Sequence, residues 1–502
     1  MKRLITQLTL FVAALCLSVS AHAYDCIVGS MYYVLDKTNN TAEIESCEKE
    51  VTEITIPESI TYEGTTYSVT SIANNAFSNC TAATTLTIPR SITTVGRSAF
   101  SGCSNLTSLI LNAENCEAMG ALSYPVFKGC DKLSNVTIGE NVAVVPAYAF
   151  YGCTGLTAVE IPGSVTTIGA NAFYKCSGLT SMTIPGSVTS IGVAAFYSCT
   201  GLTSLTIGNS VENIGGSAFS LCSALTSVEI PGSVVTIGES AFYKCKGLAS
   251  LTIGTSVTTI GVAAFRGCPA LTSVQLPGSV TTVSESAFRE CTGLKSIEMP
   301  GSVTTIGESA FRGCGLTSVK IPGSVTSIGA GAFRLCSELT SVTFNAENCT
   351  TMGTSSNSAF KECEKLTSLT IGKDVASIPM NAFKDCTLLT ELKSLAANPP
   401  VCGTNALKDI NKTTCTLYVL NESVDLYKAA AQWKNFSNIE GTLGVEDIAV
   451  DGVDDDAETL YDVYNIQGMK VAGGLRRADM TDTLPRGIYI LVSPNGTRKV
   501  KI

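Results

Sequence analysis

Histidine is all but missing. The 502-residue chain has one, His22, and a single tryptophan, Trp433. Charge is scarce too: 15% of residues are charged against 45% hydrophobic, and the formal net charge is -9. Such a composition supports a large buried core and excludes wholesale disorder. One long apolar run exists, Leu8 to Val19. It is too short to span a bilayer. It follows Lys2 and Arg3 and ends at Ala21-His22-Ala23, the pattern of a secretory signal peptide over residues 1–23, with cleavage expected after Ala23. His22 then leaves, and the remaining protein has no imidazole. That excludes Ser-His and Cys-His catalysis and every His-containing metal site, and it removes the usual general base near neutral pH. With Lys2 and Arg3 gone the formal charge moves from -9 to -11. Nucleic acid and anionic membrane are therefore poor partners for the surface as a whole. Walker A, G-x-S-x-G, C-x-x-C and G-x-G-x-x-G before a helix are also absent. No cofactor and no metal is expected.

What is present is repetition. Ile161 to Cys176 reads IPGSVTTIGANAFYKC, and 23 residues later the chain reads IPGSVTSIGVAAFYSC. The marker A-F-x-x-C, with Val126 once in place of Ala, recurs fourteen times from Cys80 to Cys386. Its step is 23, except for two steps of 27 and one of 22 into Cys336. Within a unit, L-T-S-V-x-I ends in the period-two alternation of a strand, and Pro then ends the pairing. S-V-T-x-I-G is a second short extended piece. The segment before A-F reads as a short helical turn. Its Gly slot holds Gly169 and Gly192 but also Pro146 and Pro379. Proline fixes φ near −65°, so a shared backbone cannot be left-handed there. No unit buries its own apolar face, whereas stacked units do. At strand spacing, fourteen units make a rod roughly 65 Å long.

Both ends depart from the repeat. Residues 24–73 read as an N-terminal cap, 74–386 as the repeat array and 387–444 as a C-terminal cap, with Trp433 on an amphipathic helix that plugs the open end. An acidic linker follows at 445–459, carrying Asp451, Asp454, Asp455, Asp456 and Glu458. Residues 460–502 read as a small β-rich module with a hairpin signal at Pro494-Asn495-Gly496.

Units of the form C-x-x-L-T-S-V-x-I-P-x-S-V-T-x-I-G-x-x-A-F resemble the BspA-type bacterial surface leucine-rich repeats, close to the treponemal subclass, over about 75–445. The resemblance implies a leucine-rich repeat solenoid: stacked short parallel β-strands joined by short helical or 3-10 turns. It also implies a secreted or surface protein of bacteria, often an adhesin, with ligands that vary widely. The C-terminal module is similar to the sorting domains of type IX secretion cargo. Tyr464-Asn465-Ile466-Gln467-Gly468, Leu484-Pro485-Arg486-Gly487-Ile488-Tyr489 and the tail Lys499-Val500-Lys501-Ile502 carry that likeness.

The ladder cysteines are expected to be buried structural thiols, since metal sites need convergent ligands and a ladder is one-dimensional. Cys116 and Cys349, in the two 27-residue units, align with the Val of S-V-T-T-I-G and take a buried valine's place. The remaining pairs lie in the caps, and disulfides are expected within each: Cys26 with Cys47, and Cys402 with Cys415. Two columns are candidates for binding. The residue after A-F reads Tyr151, Tyr174, Tyr197, Ser220, Tyr243 and then Arg266, Arg289, Arg312, Arg334. It is expected to point outward. Its charges are either a solvated face, compensated in part by Glu285 to Arg289 and Glu308 to Arg312 at i,i+4 and by the adjacent Glu290, Glu362 and Asp385, or a patch for an anionic partner with tyrosines as aromatic contacts. The variable residue of the strand, which includes Glu160, Glu229 and Glu298, is a hydroxyl and carboxylate stripe if it lines the concave face. Exposed Thr also simply favours a strand.

The preferred reading is a non-enzymatic exported solenoid that binds an extracellular protein or glycan through its repeat surface. One alternative is a carbohydrate-active enzyme using carboxylates such as Glu160 and Glu229. Three units apart, these two stand roughly 14 Å from each other, beyond the roughly 5–9.5 Å of a catalytic carboxyl pair. A second alternative is a structural surface spacer.

Overall fold

The computed structural model describes residues 24–442, 460–465, 470–476, 488–493 and 496–501. The expected signal peptide, the acidic linker and Leu484 to Gly487 lie outside the described residues.

Each unit is one coil of a solenoid with two strands and a turn segment. Ser181–Thr183 pairs in parallel with Ser204–Thr206, Met182 opposite Leu205. Ser190–Ile191 pairs in parallel with Thr167–Ile168 on one side and Asn213–Ile214 on the other. The second ladder continues as ten strands from Val144–Val145 to Thr351–Met352. The first is continuous at both ends of the array and broken into pairs between Ser181 and Glu298. Met182, Ile184, Val188, Ile191, Ala195, Phe196, Cys199 and Leu202 point inward and are buried, while Ser181 and Thr183 are exposed. The alternation read from the sequence is therefore the alternation of the core.

The polar letters hold neighbouring units together. Ser187 Oγ donates to the Val165 carbonyl, and Thr189 Oγ1 to the Thr166 carbonyl, one unit back. The Cys199 thiol donates to the Phe173 carbonyl at 3.1 Å. Repetition follows from this: each polar side chain finds its acceptor only if the preceding unit has the same backbone.

The turn segment differs from the expected helical turn. Ala172, Tyr174 and Cys176 donate their N–H groups three residues back, to Gly169, Asn171 and Phe173. Between them Asn171 (φ 57°) and Lys175 (φ 58°) are left-handed, which prevents helical continuation. Left-handed non-glycine residues cost on the order of 1–3 kcal/mol each. Here both send their N–H groups along the stack, to the carbonyls of Val193 and Tyr197, and those bonds offset the strain. Gly169 itself is not left-handed, in keeping with proline at the equivalent position. It is small because a Cβ would meet Ala147 N at 2.5 Å.

At the N-terminal end, β1 (Cys26–Val28), β2 (Met31–Asp36) and β3 (Thr41–Cys47) form an antiparallel meander. β3 then pairs in parallel with Thr65–Ile72, which opens the second ladder. This corrects the expected Cys26–Cys47 bridge. β2 lies between their strands, so the two positions stand two strand spacings apart, roughly 9–10 Å, beyond disulfide reach. Cys402 and Cys415 are also unbridged. Cys402 ends a strand of the second ladder, whereas Cys415 precedes Thr416–Leu420 of the first.

At the other end Trp433 does plug the core, with 1% of its surface exposed, but not from the expected helix. Helix α1 (Val424–Ala429) stops short of it, and Gln432 (φ 65°) turns the chain into a separate 3-10 turn, Trp433–Asn435. The indole N–H donates to the Pro400 carbonyl at 2.8 Å. Tyr427, fully buried, shares a hydrogen bond with Ser394 and donates to the Ala396 carbonyl. Tyr427→Phe strands both partners in the cap and should destabilise it by about 1–3 kcal/mol. Trp433, whose ring lies 5.2 Å away, reports that loss in an emission-detected melt.

The C-terminal strands Leu460–Asn465, Lys470–Arg476, Ile488–Ser493 and Gly496–Lys501 form a four-stranded antiparallel sheet. Tyr461, Val463 and Leu491 form its own small core. No helix among the described residues is long and apolar enough to cross a membrane.

Candidate binding surface

The ladder cysteines face the core as thiols. Among the described residues no group of three Cys, Asp, Glu or His side chains is placed to hold a metal ion. Cys116 and Cys349 are buried at the valine position, and burial pushes both up to about 11.

The column after A-F lies at the surface, half-buried. Tyr151, Tyr174 and Tyr197 stack face to face at 4.5 and 4.7 Å, with planes 6° apart. Unit spacing makes the stack. Because the ring faces cover one another, a partner meets ring edges and phenol hydroxyls. Burial, then the neighbouring Tyr174, raises the Tyr151 hydroxyl above its ordinary value. The stack ends at Ser220, which is buried. Tyr243 begins the cationic block, with Lys244 and Arg266 over its ring at 5.0 and 5.8 Å.

The cations are compensated in part, by the adjacent acids Glu290, Glu362 and Asp385 and not by the i,i+4 pairs. Glu285 and Glu308 make no ion pair with Arg289 and Arg312, because the segment that joins them is not a helix. The acids come instead from the left-handed position before each cysteine. Glu290 (φ 64°) meets Arg266 at 3.4 Å and Arg289 at 3.1 Å. Glu362 (φ 62°) takes two hydrogen bonds from Arg334 at 2.8 and 3.0 Å. Partial burial opposes ionisation of Glu290, but Arg266 and Arg289 hold it below the usual carboxylate range. The hydrogen bonds from Arg334 do the same for Glu362. Among the described residues Arg312 has no such partner within ion-pair distance.

On the strand stripe Glu160, Glu229 and Glu298 are exposed and do not converge. Thr137, Thr252 and Gln275 stand beside them across the ladder. No two of these three carboxylates make the close pair that glycoside hydrolysis uses.

One feature of this face was missed in the sequence. The first ladder breaks between Ser296–Glu298 and Ser318–Ile321. There a groove of about 980 Å³ opens, lined by Gln275, Glu298, Met299, Lys320, Pro322 and Asn345 among others. Ile297 and Met299 are only half-buried at its floor. The 22-residue step into Cys336, where Cys314-Gly315-Leu316 has lost one residue, adjoins it, although the same ladder also breaks between full-length units.

The family profile for the BspA type leucine rich repeat region matches in six copies, over residues 45–180, 143–272 and 258–390. The chain belongs to that family. No curated protein sequence matches it. Among solved structures, a leucine-rich repeat protein from Bacteroides ovatus is 23% identical, covers 74% of this chain and 100% of its own, and superposes with a TM-score of 0.45. A leucine rich cell surface protein from Faecalibacterium prausnitzii is 27% identical over 75% of this chain and 96% of its own, with a TM-score of 0.39. The pneumococcal vaccine antigen PcpA is 18% identical over 83% and 98%, with a TM-score of 0.34.

Proposed function

We propose that this chain is an exported, surface-presented binding protein that engages an extracellular protein or glycan through its repeat array, and that it does so without catalysing a reaction. The observation that carries this reading is the groove at Gln275, Glu298, Lys320 and Asn345. It puts a carboxylate, a cation, two amides and half-buried aliphatic side chains together on a solvent-facing strand ladder. On the turn segments of the array, the tyrosine stack and the Arg266 to Arg334 block offer hydroxyls and cations at unit spacing. Many weak contacts over several units then add up. The signal peptide and the sorting-like tail support export, and the F. prausnitzii relative is described as a cell surface protein.

The test is a matrix-protein and glycan array probed with the full chain lacking residues 1–23. Glu298→Lys and Lys320→Glu should each weaken a bound partner by roughly tenfold or more, about 1.4 kcal/mol. Arg312→Glu should do so if the partner is anionic. Neither Glu298→Lys nor Lys320→Glu should shift the melting temperature, since these two side chains are exposed. A silent array combined with turnover of a glycan would defeat the binding reading.

A further inference from the structure

The thiol ladder has a defined partner at almost every step. From Cys103 to Cys363, eleven thiols donate to the phenylalanine carbonyl of the preceding unit, at 3.0 to 3.3 Å. Cys80 is the first rung and has no phenylalanine unit before it. What stands in that place is the thiol of Cys47, the last residue of β3, with Sγ 3.0 Å from Cys80 Sγ. Both are buried, Cys80 fully and Cys47 to 6% exposure. Lys49 lies alongside, donating to the Ser78 carbonyl at 2.8 Å. Hydrogen bonds from the Cys103 and Cys47 thiols, and then Lys49, hold the Cys80 thiol below its ordinary range, while the hydrogen bond to Cys80 and burial push the Cys47 thiol above it.

We propose that Cys47 and Cys80 are a disulfide-forming pair, which staples the N-terminal cap to the first unit when the chain folds in an oxidising compartment. The sulfurs need close by only about 1 Å to reach the bond length of about 2.05 Å. The oxidant is a disulfide, either an oxidised dithiol protein or a small-molecule disulfide. One cysteine thiolate attacks it, forms a mixed disulfide and releases one thiol. The second thiolate attacks the protein-bound sulfur and releases the other thiol. Two protein thiols are oxidised, one external disulfide is reduced to two thiols, and the two protons pass to the released thiolates. Every other rung from Cys103 to Cys363 that donates to a carbonyl already has its thiol engaged. The cross-link spans 33 positions of sequence and joins the last residue of β3 to the first rung of the ladder.

The experiment needs no ligand, so its outcome is independent of the binding reading. The full chain is reduced, unfolded and refolded in a glutathione redox buffer. Recovery of the fold is verified by circular dichroism and Trp433 emission. Free thiols are alkylated in denaturant without reductant, and the digest is read by mass spectrometry. The expected result is a Cys47–Cys80 linked peptide that disappears on reduction, with the ladder cysteines from Cys103 to Cys363 alkylated. Folded protein with both Cys47 and Cys80 alkylated would overturn the proposal. So would Cys47 linked to Cys26, or Cys80 linked to Cys103.

Discussion

Raising the pH should unfold this protein abruptly between about pH 9 and 10.5, with thiolate absorbance appearing only as the fold is lost. Burial, first of all, pushes Cys176, Cys199, Cys245, Cys336 and Cys386 well above the ordinary thiol range. It pushes Cys222 and Cys363 up to about 12. In the unfolded chain the same thiols titrate near about 8.5. Below that pH they are protonated in both states, and their contribution to stability is fully present. Above it the unfolded chain sheds protons that the folded chain keeps, so the unfolded state binds fewer protons and stability falls as pH rises. Each such thiol takes away about 1.4 kcal/mol per pH unit until its folded value is reached. Seven of them take away roughly 10 kcal/mol per unit, as much as a typical domain's whole margin. Circular dichroism and ultraviolet absorbance on one pH series check this. A gradual thiolate signal near the ordinary thiol pKa, with the fold intact, would mean the ladder is open to solvent.

The stack was legible because its period is strict. Once Val188, Ile191, Phe196 and Cys199 recur every 23 residues, each inward letter is fixed by the same letter one unit away. Proline in the Gly169 slot correctly excluded a left-handed backbone there. The left-handed positions two residues further on, and just before each cysteine, left little trace. Asn171, Ala194, Ser217, Lys175, Leu221 and Glu290 all occupy them, since the conformation is held by hydrogen bonds to the next unit and not by residue type. That is why the turn segment reads as a helix, and why Glu290 and Glu362 stand out in the sequence only as neighbours of the cationic column and not as partners of Arg266 and Arg334 one unit back. The caps were hardest. No repeat constrains them, so sequence proximity suggested Cys26 for Cys47, while β2 separates those two and the pairing of β3 with Thr65–Ile72 leaves Cys47 beside Cys80. The groove at Glu298 and Lys320 depends on which ladder hydrogen bonds fail, and the ladder fails at full-length units as well as beside the 22-residue step, so repeat length does not foretell it.

Phe242→Ala should cost about 3–5 kcal/mol and divide a single unfolding transition into two. The Phe242 ring is fully buried and lies against Phe219 and Phe265, both at 5.3 Å. The same stacking runs without interruption from Phe150 to Phe383. Removing one ring leaves a cavity and weakens two interfaces at once. In a quasi-one-dimensional array, cooperativity passes only through neighbouring interfaces, so the units on either side of Phe242 no longer melt together. Trp433 makes the division visible. As the only tryptophan, packed in the C-terminal cap, its emission follows the C-terminal segment, whereas circular dichroism follows the whole array. In the parent chain the two signals should coincide through a urea titration, and in the variant they should separate. Phe77→Ala, with a ring neighbour on one side only, should cost less and leave them coincident. Equal costs and coincident curves for both variants would require the core to act as one globular unit, in which position along the stack does not matter.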